Sequence, residues 1–289
     1  MNNVIIQALK NRYFEYEAAQ ALKEKIVNPP IYLSVGTEFI PPLLKKALLA
    51  NNIKKCNIFA QHRCHSYYLT FSGEYEKLAL ELCGSTHGCS RGYGGSASIS
   101  HTKNTNYKMW GHSGLLGDQV PIAAGAAHAS QELTICVMGD AGAEEDYALG
   151  AMGYAVTHKC PILFICEDNN LSLLTTKAER RGWDIVEVAL GMGIDACSIN
   201  KQCNLSDVYD EIEVGIDCAN SNHPYLLNIQ VYRHLWHAGA GQDGDIKYDW
   251  LSDYKKQNPS AKCLESIEPI KNEMKDIWRK VKNGNTRYN

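Results

Sequence analysis

The sequence predicts an α/β fold, an open parallel sheet with helices on both faces. Three observations predict it. Residues 133–138 (LTICVM) and 160–166 (CPILFIC) are short apolar runs bounded by polar or turn-forming residues, and 147–158 between them is rich in Ala, Leu and Met. Strand, helix and strand in that order need a right-handed crossover onto a parallel sheet. A third apolar run, 225–231 (YLLNIQV), follows a helical segment at 206–219. Ligands of such sheets bind outside the carboxyl ends of the strands.

In chain order, residues 1–28 place Ile5, Leu9, Tyr13, Tyr16, Ala19, Leu22 and Ile26 at helical spacing, up to a stop at Asn28-Pro29-Pro30. Pro41-Pro42 opens a second helix over 43–51, since proline suits a first turn. The stretch 84–118 carries Gly84, Gly88, Gly92, Gly94, Gly95, Gly111, Gly114 and Gly117 among Ser, His and Asn. So long an aperiodic stretch is functional or disordered. Small apolar residues over 120–130 predict a tightly packed helix, and 260–289 reads as one amphipathic helix. The organisation expected is an N-terminal helical segment (1–50), an α/β domain (51–245) and a helical tail (246–289).

Composition excludes several classes. The 289 residues are 45% hydrophobic and 21% charged, with formal net charge −3, so the chain is not disordered and has no electrostatic footprint for nucleic acid. No run of ~18 apolar residues predicts a membrane span, and the charged N-terminus is unlike a signal peptide. The 11 cysteines are odd in number and scattered, with no Cys-x-x-Cys pair. Zinc and thioredoxin-like sites need that close spacing, so the cysteines read as reduced, mostly buried residues of a cytoplasmic protein.

The chemistry lies at two strand ends. Gly139-Asp140-Ala141-Gly142-Ala143 follows the first strand at a helix entrance, where backbone amides can hold phosphate and the carboxylate a divalent cation. Glu167-Asp168-Asn169-Asn170 follows the second, and an amide oxygen beside a carboxylate suits magnesium. Either alone is an ordinary turn. Asp140 and Asn169 lie 29 positions apart, about one strand–helix–strand unit, so both can meet at one sheet edge.

The pair GDAGAEED … FICEDNN resembles the thiamine diphosphate motif, Gly-Asp and then Asn-Asn some thirty residues on. More of the chain is similar to the alpha subunit of the thiamine-dependent decarboxylase component of 2-oxo acid dehydrogenases acting on pyruvate, branched-chain 2-oxo acids or acetoin. Gln61-His62-Arg63-Cys64-His65 resembles that family's Tyr-Arg-x-His. Glu81-Leu82-Cys83-Gly84 through Gly94-Gly95-Ser96 resembles its ELxGxxxGxxxGxGGS run. Residues 114–121 (GLLGDQVP) resemble its GIVGAQVP, and Tyr232-Arg233 to His237 its YR…H segment. Each match is weak alone, but together they stand in family order over about residues 50–240.

The resemblance implies a transketolase-like, thiamine diphosphate-binding fold and specific roles. Asp140 and Asn169 would ligate magnesium through side chains, and Leu171 through its backbone carbonyl. Ala141 and Gly142 would meet the diphosphate with their amides. Arg63 would pair with it, as a guanidinium suits phosphate, and His62, in place of the family's tyrosine, would donate to it. Gly114 would accept from the aminopyrimidine, and Leu116 would bend the cofactor. His65 and His237 would face the reacting end as catalytic residues. Glu145 is either a supporting residue or a first-turn carboxylate favoured by the helix dipole. The glutamate that activates the pyrimidine belongs to the family's beta subunit and has no candidate here. The resemblance therefore implies a half site completed in an α2β2 assembly.

The chain departs from the family at four places. Gly-Asp-Gly-Ala becomes Gly139-Asp140-Ala141-Gly142, the first Asn of Asn-Asn becomes Asp168, and Leu173-Leu174 replace small residues. After the late strand, His-Ser becomes His237-Ala238, within a glycine-rich loop running to Asp245. Alanine has no hydroxyl to phosphorylate, and docking of a lipoyl carrier there is put in question. The expected function is decarboxylation of a 2-oxo acid with acyl transfer to a lipoyl carrier. The alternatives are carbon–carbon bond formation of acyloin or transketolase type in a biosynthetic pathway, or an inactive scaffold. Intact Asp140, Asn169 and Arg63 oppose the scaffold.

Overall fold

The N-terminal periodicity folds as helix α1, Asn2–Lys23. It ends before the predicted Asn-Pro-Pro stop, because Lys25 turns left-handed (φ 60°) and the amide of Ile26 reaches back to the carbonyl of Ala21 (2.9 Å). Helix α2, Ile40–Ala50, takes Pro41 and Pro42 into its first turn, where no intrahelical amide is needed. The computed structural model describes residues 1–242 and 248–285. It divides into two compact units. One comprises residues 1–42, 62–101 and 232–289, and the other residues 43–61 and 102–231.

The second unit holds the sheet. Its strands are β1 (Cys56–Phe59), β2 (Tyr107–Trp110), β3 (Thr134–Gly139), β4 (Ile162–Asp168), β7 (Asp195–Ile199) and β8 (Tyr225–Gln230), in spatial order β2-β1-β3-β4-β8-β7. All five pairings are parallel, and β3 aligns with β4 so that Gly139 faces Glu167. The predicted α/β class is therefore what forms. Helices α5 (Gln119–Ser130), α6 (Asp146–Thr157) and α8 (Ile185–Met192) bury Val120, Ala123, Ala151, Met152, Ile185 and Ala189 in one cluster with Cys136, Met138, Phe164 and Cys166 of the sheet. Helix α9 (Leu205–Asn220) covers the opposite face. It approaches so closely that a methyl on Gly215 would lie 2.8 Å from Leu163. A two-stranded hairpin, β5 (Leu171–Ser172) and β6 (Thr175–Thr176), leads into the short helix α7 (Lys177–Arg180).

Two helices of the first unit, α3 (His65–Ser72) and α4 (Tyr75–Leu82), are joined through a left-handed Gly73. The tail differs from the single helix expected over 260–289. Helix α10 (Trp250–Gln257), capped by Asp249, is followed by a 3-10 turn at Lys262–Ser266 and then α11 (Ile267–Asn285). Pro269 explains the late start, because proline is tolerated only in a helix's first turn. Helix α11 packs on α1, with Phe14 and Trp278 ring centroids 5.3 Å apart. Residues 286–289 of the predicted tail lie outside the described residues.

The glycine-rich chain of this unit wraps around a buried carboxylate. Glu81 is 1% exposed. It accepts from the amides of Ser90 (2.7 Å), Gly92 (2.9 Å), Gly94 (2.8 Å) and Gly95 (3.2 Å). A Cβ on Gly88 would fall 2.5 Å from the Glu81 Cα, so glycine permits the approach. Glu81→Ala removes the acceptor of four amides. It is expected to lower unfolding stability by about 3 kcal/mol. In hydrogen exchange those amides should lose protection while α11 keeps its own.

Candidate functional site

Strand order reverses between β1 and β3, a topological switch point of the kind at which open α/β sheets bind ligands. Gln61, just past β1, donates from Nε2 to Glu167 of β4 (2.5 Å), and Glu167 is buried. Asp140 follows β3 directly and is 1% exposed, as is Asp168 at the end of β4. Ala141 and Gly142 then turn the chain into α6, and Glu145 is the N-cap residue of that helix, without a side-chain cap bond.

Opposite this turn lies the 114–118 segment. Gly117 is left-handed (φ +80°), and a Cβ there would sit 2.6 Å from the Gly142 carbonyl oxygen. The Leu116 side chain approaches the same turn, with Cδ1 3.8 Å from where a Gly142 Cβ would be. The Tyr147 hydroxyl donates to the Leu116 carbonyl. Gly114 is exposed and left-handed, and its amide donates to His112 Nδ1 (2.9 Å). After β4, Asn169 Oδ1 accepts from the Leu171 amide (2.9 Å) and Asp168 Oδ1 from the Asn170 amide (2.9 Å). Asn170 itself is left-handed (φ 66°).

The two buried aspartates are paired with cations that sequence reasoning did not single out. Arg180 Nη2 meets Asp140 Oδ2 at 2.5 Å, and its Nε lies 3.1 Å from both oxygens of Glu144. Lys177 pairs with Asp168. Arg181 reaches Glu144 at 3.4 Å and lies over the Trp183 ring. Among the described residues no three or more His, Cys, Asp or Glu side chains gather as a metal site. The oxygen donors at the strand ends are mixed: carboxylate, amide and backbone carbonyl.

The other predicted residues lie in the first unit. The rings of Tyr32, His62 and His237 cluster, with centroids 4.9, 5.7 and 5.5 Å apart pairwise. Arg63 is buried and donates to the Leu33 carbonyl (3.2 Å), while its Nη2 lies 3.0 Å from His237 Nδ1. Arg233 Nη1 lies 3.4 Å from the same nitrogen. A guanidinium only donates, so Nδ1 accepts and His237 carries its proton on Nε2. His65 has no exposed surface. Its Nδ1 faces Glu15 (3.1 and 3.2 Å) and its Nε2 faces the Ser96 hydroxyl (2.9 Å), which also accepts from the Tyr32 amide (2.7 Å). Of the loop after His237, residues 243–245 lie outside the described residues. All 11 cysteines are free, six of them buried.

Burial, and next the charge of Asp168, pushes the Asp140 carboxyl up to about 6 against the pull of Arg180. The folded chain thus holds this proton more tightly than the unfolded one does. The resulting stability is complete below about pH 4 and lost as pH rises through about 6. Without divalent metal, urea unfolding should show the wild type losing about 3 kcal/mol relative to Asp140→Asn between about pH 4 and pH 7. A flat difference would show that the carboxyl is not shifted.

Three relatives resemble most of the chain. Over 261 residues it is 28% identical to the mitochondrial pyruvate dehydrogenase E1 component subunit alpha of Dictyostelium discoideum, covering 86% of this chain and 64% of that one. It is 26% identical over 250 residues to the somatic mitochondrial form of Homo sapiens, covering 82% and 59%. It is 24% identical over 240 residues to the pyruvate dehydrogenase E1 component subunit alpha of Rickettsia bellii (strain RML369-C), covering 79% and 72%. The chain thus spans less than two thirds of the length of the first two. Residues 11–270 match the family described as the dehydrogenase E1 component, and with nearly the whole sheet-bearing chain inside that match, the protein belongs to this family.

Proposed function

We propose that this chain is the alpha-type half of a thiamine diphosphate- and magnesium-dependent enzyme that decarboxylates a 2-oxo acid and passes the acyl group to a lipoyl carrier. One observation carries the reading. A buried carboxylate and an amide oxygen, Asp140 and Asn169, stand at the adjacent carboxyl ends of β3 and β4, beside a turn of small residues. The donor chemistry fits the cofactor. The oxygen donors at the strand ends, carboxylate, amide and backbone carbonyl, suit magnesium, Lys177 and Arg180 neutralise the two aspartates in its place, and the Gly117–Gly142 contact leaves no room for a side chain at Gly117.

In this reading Asp140, Asn169 and the Leu171 carbonyl would hold magnesium. The amides of Ala141 and Gly142 would meet the diphosphate, and the sequence motif assigns Arg63 and His62 to it as well. The Gly114 carbonyl would accept from the aminopyrimidine, and Leu116 would support the cofactor. Thiamine diphosphate, when bound, supplies the electron sink for decarboxylation. His237, as the Nε2–H tautomer, offers a donor to a substrate oxygen, and Arg63 and Arg233 fix its ring. His65, with no exposed surface, is a positioning residue that holds Ser96 and through it the Tyr32 backbone. A beta subunit supplies the pyrimidine-activating glutamate in an α2β2 assembly. The cytoplasm is the compartment that goes with eleven unpaired cysteines. No helix among the described residues is long and apolar enough to cross a membrane.

Residues 238–241 (Ala-Gly-Ala-Gly) favour a second reading, in which a carbonyl compound rather than a lipoyl group takes the acyl unit. The test is reconstitution with the beta subunit, thiamine diphosphate, magnesium and pyruvate, offering a lipoyl domain or acetaldehyde as acceptor. Decarboxylation should require both subunits and fall at least about 100-fold in Asp140→Ala, the order expected for losing a charged ligand in a buried site. Turnover by this chain alone would overturn the half-site reading, and acylation of acetaldehyde alone would select the second acceptor.

A further inference from the structure

Lys177 and Arg180 sit one helical turn apart on α7 and face the two buried aspartates. Neither is buried, with side chains 23% and 13% exposed, whereas Asp140 and Asp168 are each 1% exposed. No residue of α7 is buried. The helix is held by its own capping box, in which Thr176 and Glu179 bond reciprocally. Both cations can therefore swing away by side-chain rotation without disturbing the core, which the aspartates cannot do.

Within the ion-paired set the charges balance. Asp140, Asp168 and Glu144 face Lys177, Arg180 and Arg181 through ion pairs. A divalent cation added to this set would leave positive charge uncompensated in a desolvated place, where such an imbalance is unfavourable. We propose that Lys177 and Arg180 are the resident counter-cations of these carboxylates, and that a divalent metal binds by exchange with them. The proposal rests on Asp140 being a metal ligand. Exchange also couples metal to phosphate, because a diphosphate arriving with the metal offsets the charge of the displaced side chains.

The test uses the full chain without thiamine, with Mn²⁺ alone as probe and free Mn²⁺ read by electron paramagnetic resonance. Arg180→Gln and Lys177→Gln each remove a competitor and should bind Mn²⁺ about tenfold more tightly than wild type, the scale of one nearby charge in a partly buried site. Arg180→Lys, which keeps the charge and controls for folding, should stay within about twofold of wild type. Inorganic pyrophosphate should tighten Mn²⁺ binding more in wild type than in Arg180→Gln. Equal or weaker binding in both glutamine variants, with binding lost in Asp140→Asn, overturns the exchange but leaves the metal site standing. Binding that survives Asp140→Asn unchanged, or no binding by any of these proteins, overturns the metal site itself.

Discussion

Two carboxylates brought out of water at neighbouring strand ends set the terms for the surrounding structure. Parallel pairing of β3 with β4, with Gly139 opposite Glu167, brings Asp140 and Asp168 to the same edge. Burial disfavours the charged form of Asp140, and the charge of Asp168 adds repulsion. The neighbourhood is shaped by the need to neutralise that charge. A hairpin and a short helix return two cations to the aspartates, and a third carboxylate, Glu144, spreads the guanidinium charge. Lys177, Arg180 and Arg181 between them neutralise the three carboxylates.

The first unit handles buried charge in a different manner, by giving it to the backbone. Glu81 takes four amides, and Glu38 takes the Gly36 amide (2.5 Å) and the Trp250 indole (2.9 Å) as well as Arg12. Glu15 serves the Ser34 amide and hydroxyl together with His65. Each carboxylate organises a loop that lacks regular structure, which is why segments so rich in glycine hold a defined course. His65, predicted from sequence to face the reacting end, belongs to this scaffolding layer by its contacts.

What was legible in the sequence follows from burial. Strands β3, β4 and β8 lie between layers of helix or other strands, and so read as continuous apolar runs. Strands β1 and β2 have four residues each, and the edge strands β2 and β7 keep exposed positions (YKMW, DACSI). Such segments have no period to detect. Asp140 and Asn169 stood out because chemistry-bearing residues followed legible strands. Arg180 and Lys177 did not, since a basic residue in a polar loop looks like a solvated one. Only the fold reveals that Arg180 reaches back 40 positions to Asp140. The one signal available was the cluster Lys177, Arg180 and Arg181 shortly after the acids.

The backbone contact between Gly117 and Gly142 has a mechanical consequence. Because Gly117 meets the Gly142 carbonyl with no side chain between them, the two turns cannot drift independently. The segment bearing Leu116 and the segment bearing Asp140 form a single clamp whose opening is set by peptide groups rather than by adaptable side chains. A larger residue at Gly117 would force its jaws apart.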